Sequence, residues 1–196
     1  MSMPIIARIA ILGALPMLAA CEQPAPPPPL EGAAIGGPFE LVDTKGETVS
    51  WSDFDGRWRM VYFGYTWCPD VCPFDLMRMM RGYRQWAAEN PELADQVQPI
   101  FITIDPERDT PEEVAEYVAN FGDNLIGLTG TPEAIKQAAD NFSVFYARGP
   151  DDPVVGYLMQ HSNAGYLMDR DGEPIALLPV DESPQGVADQ LELFVR

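Results

Sequence analysis

A compact apolar run at residues 59–65, centred on Met60-Val61-Tyr62-Phe63, leads directly into Tyr65-Thr66-Trp67-Cys68-Pro69-Asp70-Val71-Cys72-Pro73. From Pro73 onward Leu76, Met80, Tyr83 and Ala87 recur at helical spacing. A short continuous apolar run suits a strand buried on both faces, and proline is tolerated in the first turn of a helix. The segment therefore reads as buried strand, cysteine loop, helix. A helix amino terminus offers unpaired N–H groups and the positive end of its dipole, and both favour thiolate over thiol. Cys68 and Cys72 should thus be more acidic than free cysteine.

The remaining chain supplies partners for that unit. Residues 39–51 read as two short strands around the turn Asp43-Thr44-Lys45-Gly46. Residues 97–104 form a second buried-strand candidate, followed by the loop Asp105-Pro106-Glu107-Arg108-Asp109. Thr110-Pro111-Glu112-Glu113 is a capping box that opens a helix continued by Val114, Tyr117, Val118 and Phe121. Thr131-Pro132-Glu133 opens another helix to about Asn141, with a weaker cap because Ala134 occupies the acidic position. Residues 143–147 suit a short strand, and residues 157–168 carry strand-like material around His161 and at Tyr166-Leu167-Met168. Asp171-Gly172 makes a tight turn to a partner strand at residues 174–178, and residues 184–195 close the chain as a helix.

A β-α-β unit followed by a β-β-α hairpin unit is the layout of a thioredoxin-like α/β fold, here with an N-terminal strand pair and an inserted helix. In that layout the cysteine loop and the loop leading into the hairpin lie side by side. His161, the single histidine of the chain, occupies that approach and is carried toward Cys68 and Cys72.

The N-terminus reads as an export signal occupying residues 1–20. A single positive charge precedes an apolar run at residues 9–17, too short for a comfortable permanent membrane span. The run ends in Leu18-Ala19-Ala20-Cys21, which resembles the bacterial lipoprotein box, so Cys21 is expected to carry the lipid. Residues 21–38 follow as a tether, with Pro24 and the run 26–29 favouring an extended polyproline rod. Residues 39–196 are one domain's length. The expected location is the periplasm-facing side of the bacterial inner membrane.

Three cysteines are an odd number for an exported chain, and assigning Cys21 to a lipid leaves one pair, Cys68 and Cys72. The formal charge of −18 excludes a nucleic-acid partner, since phosphate binding needs basic patches. The pair has three chemistries open to it. A structural disulfide is one, although so small a loop gains little from chain entropy. Thiol exchange is a second, but exchange enzymes of thioredoxin type place two residues between the cysteines, where this chain has three. Metal binding is the third. Two thiolates and an imidazole suit Cu(I), whereas zinc normally wants a fourth ligand, which Asp70 or Asp105 is of the right type to supply. Met77, Met79 and Met80 are better read as core than as copper ligands, with Met77 and Met80 on the buried helix face.

Three blocks together are specific. They are Tyr65-Thr66-x-Cys68-Pro69-Asp70-Val71-Cys72-Pro73, Asp105-Pro106-Glu107-Arg108-Asp109-Thr110-Pro111 and Tyr157-x-x-x-His161-Ser162. In this order and spacing the chain resembles the Sco/SenC family from about residue 38 to its end. The resemblance implies a thioredoxin-like fold and a role in assembling the binuclear copper centre of cytochrome c oxidase. It maps copper ligands, for Cu(I) or Cu(II), onto Cys68, Cys72 and His161. It implies as partners the copper-binding subunit of the oxidase and a periplasmic copper donor or thiol reductant. Many family members carry an acidic residue before the histidine, where this chain has Gln160. A thiol-disulfide reductase that keeps oxidase cysteines reduced, or a redox or copper sensor, is the alternative.

Overall fold

The computed structural model describes residues 26–153 and 156–196. The export signal and Cys21 lie outside them. The described chain begins its regular structure with a hairpin, β1 (Glu40–Asp43) and β2 (Thr48–Ser50), as its turn chemistry predicts. Asp43 caps that turn by accepting from the backbone N–H groups of Lys45 and Glu47.

The apolar run becomes β3 (Trp58–Gly64), buried along its whole length, and the second run becomes β4 (Val97–Thr103), equally buried. They pair in parallel, linked by the long helix α1 (Val71–Glu89) and one turn of helix, α2 (Pro91–Ala94). Helix α3 (Pro111–Val118) follows β4; the Thr110 hydroxyl accepts from Glu113 N, and proline stands in the first turn. Strand β5 (Ile126–Thr129) pairs in parallel with β4 and antiparallel with β1. Helix α4 (Pro132–Asn141) is the inserted helix, capped by Thr131. Strands β6 (Tyr146–Arg148) and β7 (Met159–His161) form a separate two-stranded ribbon. The hairpin β8 (Gly165–Met168) and β9 (Pro174–Leu178) and the helix α5 (Pro184–Phe194) complete the chain. Gly172 takes the left-handed conformation that its turn requires, with φ of 86°.

The main sheet runs β2-β1-β5-β4-β3-β8-β9. The fold is the expected thioredoxin-like α/β architecture, with β5 as the strand that the sequence reading lacked. β5 is short and carries Gly127 at its centre, where a Cβ would lie 2.5 Å from Val114 Cγ1 and 2.9 Å from Val118 Cγ1. The glycine lets α3 sit directly on the strand, and it also removes the β-branched signal by which a strand is read.

On α1 the stripe Cys72, Leu76, Met79, Met80, Tyr83 and Trp86 is buried, but Met77 is 45% exposed. Met77 therefore leaves the buried face assigned to it, because Met79 fills the position one turn after Leu76. Part of the tether also departs from a free rod. Leu30 N donates to Ile175 O and Gly36 N to Asn141 O, so residues 30–38 lie along the domain.

Candidate functional site

The cysteine loop leaves the end of β3 and is fastened to the end of β4. Asp109 is buried, and its carboxylate accepts from Thr66 N at 2.9 Å, from the Thr66 hydroxyl at 2.7 Å and from the Thr103 hydroxyl. Burial raises the Asp109 pKa, and these hydrogen bonds oppose the rise. Sequence reasoning placed Asp109 in a loop and missed this role. A lone carboxylate in a loop carries no signal that two threonines, one on each side of the sheet's central pair, will converge on it.

Cys72 stands in the first turn of α1 and is fully buried, while Cys68 is partly exposed. Neither is in a disulfide. Cys72 N donates to Cys68 Sγ at 3.4 Å. A hydrogen bond from the Cys72 side chain is the main cause that lowers the Cys68 pKa far below that of a free thiol; burial opposes it, and the Cys72 and Asp70 N–H groups assist. The Cys72 pKa moves the other way, raised first by its bond to Cys68 and then by burial. The pair is thus one thiolate at the surface and one thiol beneath it.

His161 ends β7. Its Nε2 lies 3.2 Å from Cys72 Sγ, and its Nδ1 lies 2.9 Å from Ser162 O. A carbonyl only accepts, so Nδ1 carries the proton and Nε2 turns its lone pair toward the sulfur. The Tyr65 ring packs edge-on against the imidazole, with centroids 6.0 Å apart. Tyr65, Cys68 and His161 border a cleft of about 750 Å³ whose walls also include Val71, Leu158 and Gln160, with Cys72 buried behind it. A second cleft of about 550 Å³, lined by Glu113, Glu116 and Tyr117, also reaches Cys68.

Cys68, Cys72 and His161 are therefore brought together from two distant segments. Among the described residues no ready-made cluster of three or more metal-ligating side chains is present; these three donors are neighbours joined by hydrogen bonds, not an assembled coordination shell. Of the carboxylates considered as a fourth zinc ligand, Asp105 is engaged elsewhere, whereas Asp70 lines the same cleft as Cys68 and His161. Asp105 is 3% exposed and is engaged by Arg108 Nε at 2.6 Å and by the Tyr157 hydroxyl at 2.8 Å. Asp70 is exposed on the loop. Trp67 is 56% exposed beside Cys68 rather than packed.

A model of the SCO1/SenC family matches residues 27–196. The chain belongs to that family. It is 45% identical over 144 residues to the mitochondrial SCO2 homolog of Mus musculus, a match covering 73% of this chain and 56% of that protein, so the chain spans about half the length of this relative. Among solved structures, Arabidopsis thaliana ScoI with copper bound is 38% identical, with a TM-score of 0.73, covering 80% of this chain and 95% of the other. Bradyrhizobium japonicum ScoI with copper bound is 36% identical, with a TM-score of 0.72, covering 82% and 99%. These structures share the thioredoxin-like architecture described above.

Proposed function

We propose that this chain is a copper metallochaperone that binds Cu(I) or Cu(II) through Cys68, Cys72 and His161 and assists assembly of the binuclear copper centre of cytochrome c oxidase. The observation that carries this reading is the meeting of Cys72 Sγ and His161 Nε2 at 3.2 Å beside Cys68. The likeness to two ScoI proteins solved with copper bound supports the same ion as cargo. Two thiolates and one imidazole are a soft, low-coordinate donor set, which favours Cu(I) over hard cations. Thiols must lose their protons to ligate. Cys68 is already disposed as thiolate, so uptake chiefly displaces the proton of Cys72. Release begins at Cys68, because it is the sulfur that an incoming ligand can reach.

The leader at residues 1–20, followed by Cys21, supports a lipid-anchored location facing the bacterial periplasm. The copper-binding subunit of the oxidase is the acceptor, and a periplasmic copper donor or thiol reductant prepares the site. Cys68 and Cys72 close into a disulfide when oxidised, which withdraws both sulfur donors at once. The test is Cu(I) binding by the reduced protein in competition with a chromophoric chelator. Tight one-to-one binding that is lost in Cys68→Ser and in Cys72→Ser supports the proposal, and equal binding by the variants contradicts it.

The asymmetry of an acidic, accessible Cys68 and a buried Cys72 also favours a second reading, a thiol-disulfide reductase acting on oxidase cysteines. His161 separates the two. The reductase needs the dithiol alone, and the chaperone needs the imidazole as well.

A further inference from the structure

His161 rides on a weakly anchored element. Among the described residues strand β7 pairs only with β6, in a ribbon apart from the seven-stranded sheet. An isolated two-stranded ribbon is marginally stable in water. Something else must hold the imidazole at its distance from Cys72.

Arg108 stands where the two halves of the site meet. Its Nε donates to Asp105 Oδ2 at 2.6 Å and its Nη1 to Tyr157 O at 2.9 Å. Its guanidinium carbon lies 3.7 Å from the centroid of the Tyr157 ring. The same carbon lies 5.9 Å and 5.7 Å from the ring centroids of Tyr65 and Trp67. The Tyr157 hydroxyl donates to Asp105 Oδ1 at 2.8 Å. Asp105, Arg108 and Tyr157 thus form a closed ring of contacts. Tyr65 and Trp67 belong to the cysteine loop, and Tyr157 opens the segment that runs into β7. One side chain touches both. A planar guanidinium combines directed hydrogen bonds with stacking on aromatic faces, which an ammonium does not. Asp105 is 3% and Arg108 19% exposed in their side chains, so the ion pair is largely shielded from water.

We propose that Arg108, oriented by Asp105, is a positioning residue that pins the β6–β7 ribbon to the cysteine loop and so sets where the His161 imidazole stands relative to Cys72. The inference deepens the copper reading by naming what presents its nitrogen ligand. Its structural half holds for the metal-free protein and is tested there.

The experiment compares Arg108→Gln, Arg108→Lys and the unaltered chain, reduced and metal-free, by ¹⁵N NMR of the His161 ring and by amide exchange. In Arg108→Gln the ring signals shift and broaden, and exchange at Met159 and His161 rises at least tenfold while β3 and β4 keep their protection. Arg108→Lys, which keeps the charge but not the fork, recovers only part of the signature. Ring signals and ribbon exchange identical to the unaltered chain in folded Arg108→Gln overturn the proposal. Should Arg108→Gln fail to fold, Tyr157→Phe breaks the hydroxyl contact with Asp105 alone. A several-fold faster ribbon exchange then supports the pin, and unchanged exchange overturns it. Copper binding supplies an independent arm. Arg108→Gln weakens Cu(I) binding about 10- to 100-fold, the range for residues that orient a ligand, and has no further effect in a His161→Ala background. An additive loss overturns action through His161. If copper does not bind the unaltered protein, the chaperone reading fails while the NMR result still decides the pin.

Discussion

Cys72 Sγ and His161 Nε2 stand 3.2 Å apart across a separation of 89 residues. The register of the central sheet explains the meeting. Strand β8 runs antiparallel to β3 with Gly165 opposite Tyr62. Residues just after Tyr62 therefore neighbour residues just before Gly165, and these are the cysteine loop and the end of β7.

Replacing His161 by alanine separates binding from exchange. Cu(I) affinity should fall at least about 100-fold, since even residues that only orient a metal ligand cost 10- to 100-fold. Reduction of a small disulfide substrate should stay within a few-fold of the unaltered rate. Chelator competition and a stopped-flow exchange assay check the two halves.

The pH dependence of alkylation should differ between the two sulfurs. The Cys68 pKa is lowered chiefly by the hydrogen bond from Cys72, so its reactive thiolate persists at acid pH and disappears only when pH falls through that lowered value. The Cys72 pKa is raised, so Cys72 stays protonated through neutrality. Iodoacetamide at pH 5 should label Cys68 and spare Cys72, as read by peptide mass spectrometry. Equal labelling would refute the asymmetry.

Asp109→Ala strips the acceptor from Thr66 and Thr103 at a fully buried position. Orphaned buried donors cost about 1–3 kcal/mol, so urea unfolding should show a loss of that size. Asp109→Asn keeps a carbonyl acceptor and should lose less.

Much of this architecture was legible because its signals are local. The apolar runs of β3 and β4, the threonine-proline helix starts and the Asp171-Gly172 turn each declare themselves within a few residues. The convergence of Cys68, Cys72 and His161 followed from element order alone. Other features depend on contacts that no local pattern encodes. β5 hides behind Gly127. Met77 sits one position off the buried stripe. Residues 30–38 look like free spacer by composition, yet they dock through backbone bonds to Ile175 and Asn141. The Asp109 tie and the Asp105–Arg108–Tyr157 ring join segments distant in the chain, and their residue types are equally at home on a solvated loop.

Gly127→Ala tests the packing that hid β5. The added methyl would fall 2.5 Å from Val114 Cγ1. Overpacking of this kind costs about 1–3 kcal/mol, measurable as a lower urea midpoint. Copper stoichiometry should be unchanged, because α3 and β5 contribute no donor.

X-ray absorption of the reduced protein loaded with one equivalent of Cu(I) tests the central claim most directly. The account predicts two sulfur donors and one nitrogen donor per copper, with the nitrogen lost in His161→Ala. A shell of sulfur alone, or one that keeps its nitrogen in His161→Ala, would contradict it.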